Sequence, residues 1–202
     1  MTRLLIAIGL SVGVAATAAA QNTVSWGRGT GLAVAGGVAH DGDSTRAALG
    51  GAALWELTAH FALEGAGRWI DHRAADAFAG ELSALIGLAG TRETAVPYVT
   101  LGVGFHRRSF DVHADTDLGG VPAFYRRRLG APGPGLGLRR AFTDPTLVAG
   151  TGVDIALSRN VVLRPDVRVL FVVNGGRHAT VTVATVNVGY RFEHKPVTPS
   201  RR

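Results

Sequence analysis

A two-residue alternation running through the last apolar stretch, Thr180–Phe192, constrains this chain more than any other feature. Successive side chains of a strand point to opposite faces, so a strand divides the stretch into two sets. Ala184, Val186, Val188, Tyr190 and Phe192 share one face, and Thr185, Asn187, Gly189 and Arg191 share the other. The apolar face closes on two aromatic rings. That suits a membrane interface, where an amphipathic ring sits between lipid and water.

The same period recurs upstream. Strands are expected over Gly31–His40, Ala47–Leu57, Phe61–Ile70, Ala77–Gly90, Val96–Phe110, Thr146–Leu157 and Val161–Val173, which with Thr180–Phe192 make about eight. Each is near the length that crosses a bilayer at a tilt. Leu49, Ala53, Trp55 and Leu57 oppose Glu56; Phe61, Leu63 and Trp69 oppose Glu64 and Arg68. Leu82 and Ile86 oppose Glu81 and Ser83, and Leu163, Val167, Val169 and Phe171 oppose Arg164, Asp166 and Arg168. Trp55, Phe61, Trp69, Tyr190 and Phe192 are the expected membrane-interface aromatics.

The connections add an independent signal. Starting from a periplasmic N-terminus, every second connection returns on the periplasmic side and should be short. Thr58–His60, Thr91–Ala95 and Ser158–Asn160 fit that expectation. The opposite side receives His40–Arg46, Asp71–Asp76, the long Asp111–Pro145 and Asn174–Ala179. The expected architecture is all-β: one eight-stranded antiparallel up-and-down transmembrane barrel.

Composition bounds the alternatives. With 202 residues, 47% apolar and 18% charged, the chain can build a single core and is not a disordered polymer. No cysteine is present, so stability cannot come from disulfides, and closure of the sheet takes their place. The net charge of +6 rests almost wholly on arginine. In an exported chain, clustered arginines favour anionic lipid headgroups or phosphates over nucleic acid.

Export is read from the N-terminus. Arg3, the apolar run Leu4–Val14 and Ala18-Ala19-Ala20 before Gln21 form a cleavable signal peptide over residues 1–20. Elsewhere no run of about 18 residues is uniformly apolar, which excludes a helical membrane protein. The division is therefore signal peptide 1–20, barrel 21–192 and periplasmic tail 193–202.

On these residues, above all the terminal Tyr190-Arg191-Phe192 pattern, the chain resembles the small outer-membrane β-barrels of the OmpA/OmpX type over residues 30–192. That family has glycine where Asn187 stands here. The resemblance implies a monomeric barrel in outer-membrane lipid, inserted by the barrel-insertion machinery through Thr180–Phe192. It further implies a structural or surface-interaction role without enzymatic activity.

The inward face carries Glu56, Glu64, Arg68, Glu81, Asp154, Arg164, Asp166, Arg168 and Arg191. Unpaired charges in a narrow low-dielectric interior are costly, so mixed signs in similar numbers point to mutual pairing and a closed lumen. The alternative is a small passive channel through that network.

The long loop concentrates cations: Arg107, Arg108, Arg126, Arg127, Arg128, Arg139 and Arg140, with Phe124 and Tyr125 beside the central run. A guanidinium fork grips phosphate through two bonds, so lipopolysaccharide is the candidate partner. Asp111, His113, Asp115 and Asp117 lack the glycine and glutamate of a calcium loop, and no metal or cofactor is expected. Gly133–Gly137 lacks the Lys-Ser/Thr ending of a phosphate loop and is a connector.

Two further classes compete with this reading. A lipid A-modifying enzyme could draw on His106 with Ser109, or His40 with Asp41 and Ser44, but the late-strand His-x-Ser of the family deacylases is missing. A soluble ligand-binding barrel would need apolar residues inside and charges outside, the inverse of the faces read above.

Overall fold

The structure is a computed structural model. It describes residues 29–42, 44–71, 75–89, 94–112, 125, 128–129, 138–174 and 177–193. The signal peptide, the tail beyond 193, Arg126, Arg127, the acidic run from His113 to Asp117 and the Gly133–Gly137 connector lie outside the described residues.

Eight strands follow in order: β1 Gly29–His40, β2 Thr45–Glu56, β3 Phe61–Ile70, β4 Ala75–Gly87, β5 Ala95–Val112, β6 Leu138–Ala156, β7 Val161–Asn174 and β8 Arg177–Glu193. Each pairs antiparallel with the next, and β1 pairs with β8 from Gly29↔Glu193 to His40↔Thr182, closing the barrel. Closure removes the sheet edges that an open antiparallel sheet would expose. At the end that carries the chain termini, tight turns join the strands. Both Leu57 and Thr58 donate backbone N–H to the Phe61 carbonyl, and Leu157 and Ser158 do the same to Val161.

Alternation holds along the strands with the phase read from the sequence. Large apolar side chains stand outward and exposed, among them Val34, Leu49, Leu101, Leu147 and Val188. Glu64, Arg68, Glu81, Arg164, Asp166 and Arg168 point inward and are buried. This is inside-out relative to a water-soluble barrel.

The strand ends fall within three residues of the sequence reading, as where β4 stops at Gly87 rather than Gly90, with one exception: β6 begins at Leu138, eight residues before Thr146. The run Arg139-Arg140 followed by Asp144-Pro145 reads as loop because it is charged and contains proline. In the fold, Pro145 stands where β6 leaves its β7 neighbour: registered pairing with β7 starts at Thr146↔Val172, while pairing with β5 continues to Val112↔Leu138. Proline, which lacks an N–H, is tolerated where one side of the ladder is open. Pro165 plays a similar part in β7, facing a gap in the β6 ladder between Gly152↔Asp166 and Ile155↔Leu163.

Candidate functional site

Three layers fill the lumen along the strands. On β6 the inward residues run from Asp154, through Gly152, Gly150, Val148 and Thr146, to Asp144 and Phe142 near the loop end. Charge, apolar packing and a second charged group thus follow one another.

The first layer is an ion-pair network drawn from β2, β3, β4, β6, β7 and β8. Arg168 is its hub. Its guanidinium pairs with Glu64 at 2.6 Å, with Asp166 at 2.7 Å, and with Glu81. Arg68 also pairs with Glu81. Arg164 bridges Glu64 at 2.6 Å and Asp154, whose second oxygen takes Arg191 at 2.7 Å. Arg191 reaches Glu56 at 3.1 Å. Five carboxylates and four guanidiniums therefore form one connected set.

Neutral groups that the sequence reading did not count in the luminal network complete it. Tyr98 donates to Asp166 at 3.3 Å and lies beneath Arg164, with the cation 5.3 Å from the ring centroid. Thr185 donates to the other Asp166 oxygen at 2.7 Å, and Asn187 donates to the Arg164 carbonyl at 2.9 Å. Asn187 thus has a structural task at the position where the family carries glycine. Glycines make room for the larger members. A Cβ at Gly152 would lie 2.4 Å from the Tyr98 hydroxyl, and one at Gly150 would lie 2.6 Å from the Val167 carbonyl oxygen. Tyr98 was legible by parity, since it shares the inward phase of β5 with His106.

A belt of Ala39, Ala48, Ile70, Ala79, Val148, Leu170, Val181 and Val183 packs the next layer. Above it sits the mouth cluster. Tyr125 and Leu129, from between β5 and β6, are 2% and 3% exposed, and both are seated in the barrel opening. Arg128 grips both oxygens of buried Asp144, at 2.8 and 2.7 Å, and stacks on Phe142 at 4.2 Å. Arg108 crosses to Asp41 of the β1–β2 turn at 2.9 Å, while His106 Nδ1 lies 3.1 Å from the Tyr125 hydroxyl. Phe110, Tyr125 and Phe142 contact one another with centroids 5.3–6.1 Å apart. Burial, reinforced by nearby Asp144, pushes the Tyr125 hydroxyl well above the ordinary phenol range, so it stays a neutral donor.

The arginines read as one loop feature are thereby separated. Arg107 and Arg108 occupy β5, where alternation sends Arg107 outward and Arg108 inward. Arg139 and Arg140 belong to β6, and Arg140 donates to the Leu129 carbonyl at 2.6 Å. Arg108 and Arg128 each pair with an internal carboxylate, Arg108 because of its inward parity on β5 and Arg128 through Asp144 while its side chain stays 27% exposed.

The enzymatic constellations do not assemble. His106 points inward to Tyr125 while Ser109 has the opposite parity, and His40 hydrogen-bonds Thr45. Asp41 accepts the backbone N–H and hydroxyl of Ser44 together with Arg108.

Outward from the wall, Trp55, Phe61, Tyr190 and Phe192 lie toward the terminus end and Trp69 toward the loop end. The Tyr190 and Phe192 rings meet edge to face at 5.1 Å. A cavity beside Glu64, Arg164, Asn187 and Arg191 measures about 20 Å³, room for about one water.

No family model and no curated sequence matches the chain. Solved structures do. The N-terminal β-barrel domain of Pseudomonas aeruginosa OprF is similar at a TM-score of 0.58 and 12% identity, covering 82% of this chain and 98% of that one. Neisserial surface protein A is similar at 0.57 and 14%, covering 81% and 96%. Pseudomonas aeruginosa OprG is similar at 0.52 and 18%, covering 84% and 100%. At these identities the likeness concerns the fold, and it agrees with the strand count, closure and inside-out polarity described above. The chain therefore has the fold of the small eight-stranded outer-membrane β-barrels, the OmpA/OmpX-like group that its sequence resembles.

Proposed function

We propose that the protein is an integral outer-membrane β-barrel with a closed lumen, serving a structural or surface-interaction role rather than catalysis or transport. The observation that carries this reading is the occupancy of the lumen. A connected ion-pair network and a loop-derived mouth cluster stand in series, with an apolar belt between them. Charges matched to opposite charges in a low-dielectric interior are costly to separate, so they leave no open route to an ion. Export through the cleaved segment 1–20 and insertion as a monomer, with Thr180–Phe192 presented to the barrel-insertion machinery, belong to the same reading. The wall strand β8 closes on β1, which makes it the last partner needed.

The loop end then faces outward, and lipopolysaccharide phosphates are the surface partner that its exposed arginines suit. Arg107 and Arg140 are the exposed ones among the described residues. The decisive test is single-channel conductance of the refolded protein in a planar bilayer. A gel shift between boiled and unboiled samples serves as the control for barrel formation. The folded protein should be electrically silent; steady ohmic current would replace this reading with that of a small passive channel.

A further inference from the structure

We infer that Arg107 and the aromatic face beside it form a lateral, lipid-facing binding site for a phosphorylated glycolipid of the lipid A type. This deepens the outer-membrane reading above and rests on it.

The outward residues of β5 run Val99, Leu101, Val103 and Phe105, and then Arg107. A cation therefore stands at the first polar step beyond the apolar band. The sheet register places it in a row. Trp69 pairs with Phe78, Phe78 with Arg107, and Arg107 with Thr143, across β3, β4, β5 and β6. Directly opposed residues of an antiparallel pair hold their Cβ atoms about 4.5–5.5 Å apart, so the guanidinium has an aromatic ring on one side and a hydroxyl on the other.

The aromatic face is continuous. The Phe78 and Phe105 centroids are 5.9 Å apart. The Phe105 ring covers Gly80, where a Cβ would lie 2.6 Å from it, and Phe78 lies over Gly67. The rings thus lie along the wall and offer acyl chains a broad, flat contact rather than separate knobs.

Charge selects the headgroup. Arg108, one residue on, is buried against Asp41, whereas Arg107 is exposed and, among the described residues, no carboxylate is paired with it. A cation at the edge of an apolar band snorkels to the interface and draws an anionic headgroup there. Its planar fork suits phosphate. On the β6 side the directly opposed Thr143 is exposed and offers a hydroxyl to the same phosphate. A lipid with several acyl chains and a phosphate fits both halves of the site.

The test is native mass spectrometry of the full chain, folded in detergent with added lipid A. The readouts are the wild type, Arg107→Ser, Arg107→Lys and, at the terminus-end turn, Arg159→Ser. Retention should fall about fivefold in Arg107→Ser, the equivalent of ~1 kcal/mol for one interfacial cation. It should fall less in Arg107→Lys and stay at the wild-type level in Arg159→Ser. A phosphate-free glycolipid should bind the wild type no better than lipid A binds Arg107→Ser. Equal retention by wild type and Arg107→Ser, or by the phosphate-free lipid, overturns the site while leaving the barrel intact. Displacement of lipid A by excess inorganic phosphate would assign Arg107 to free phosphate and overturn the lipid site. A chain that folds only without detergent sinks the outer-membrane reading, and this site with it.

Discussion

The central network and the mouth cluster use the same chemistry, arginine against carboxylate, yet they are built differently. The network's members all come from strands, and most of its charged side chains are 7% exposed or less. Register fixes where each one stands, so no member can leave without the wall deforming. The mouth cluster joins strand residues Asp144, Phe142, Arg108 and Phe110 to Tyr125, Arg128 and Leu129 of a connecting segment. There the side chain of Arg128 is 27% exposed while that of its partner Asp144 is fully buried. One pairing is part of the wall, and the other is a plug laid onto it. Identical ion pairs should therefore differ in what their loss disturbs: global stability for the first, loop position for the second.

The largest effect is expected for Arg168→Ala. It leaves Glu64, Glu81 and Asp166 with one cation fewer in a buried site, a cost of ~3–5 kcal/mol. Urea unfolding in micelles, followed by loss of the heat-sensitive gel shift, reads it; a shift within error of wild type would erase the proposed difference between the two regions.

At the mouth the prediction is one of order. Arg128→Ala removes the cation paired with buried Asp144 and should cost about 1–3 kcal/mol. Asp144→Ala leaves an arginine that can turn to water, and should cost less. Limited proteolysis of the β5–β6 connection should rank the variants the same way, and the reverse ranking would mean that the plug is held mainly by its aromatic rings. On the proposed closed-lumen reading, neither mouth variant should conduct alone, since the network would still stand across the lumen; combined with Arg168→Ala, Arg128→Ala should give measurable single-channel current.

The smallest effect concerns pH. The Tyr125 pKa is raised in the folded state from its ordinary value of 10.0, so its contribution is fully present below pH 10 and is lost as pH rises beyond it. The phenolate absorbance of wild type minus Tyr125→Phe should show no step at pH 10. A step there would place the Tyr125 hydroxyl in water rather than against His106.

Much of the fold was legible because a two-residue period has only two phases, and a charge settles which one faces inward. Glu64 with Arg68, and Arg164 with Asp166 and Arg168, fixed the phase of β3 and β7 before any contact was known. The start of β6 was hidden because Pro145 and the arginine pair carry the local composition of a loop. The ladder to β5 overrides that composition with a full row of backbone hydrogen bonds. Tyr98 could have been assigned inward by counting from His106. The pairing of Asp144 with Arg128 could not, because Arg128 lies outside any strand, where no alternation sets the direction of its side chain.

The sequence by itself determined the inside-out polarity, the strand number and the identity of the luminal charges, since each follows from local alternation and the cost of an unpaired buried charge. Only the tertiary structure decided which carboxylate each guanidinium meets, and that the arginine-rich stretch divides between the inside and the outside of the wall. Those choices depend on strand register and on where the connecting segment lands, and both are set by contacts between residues far apart in the chain.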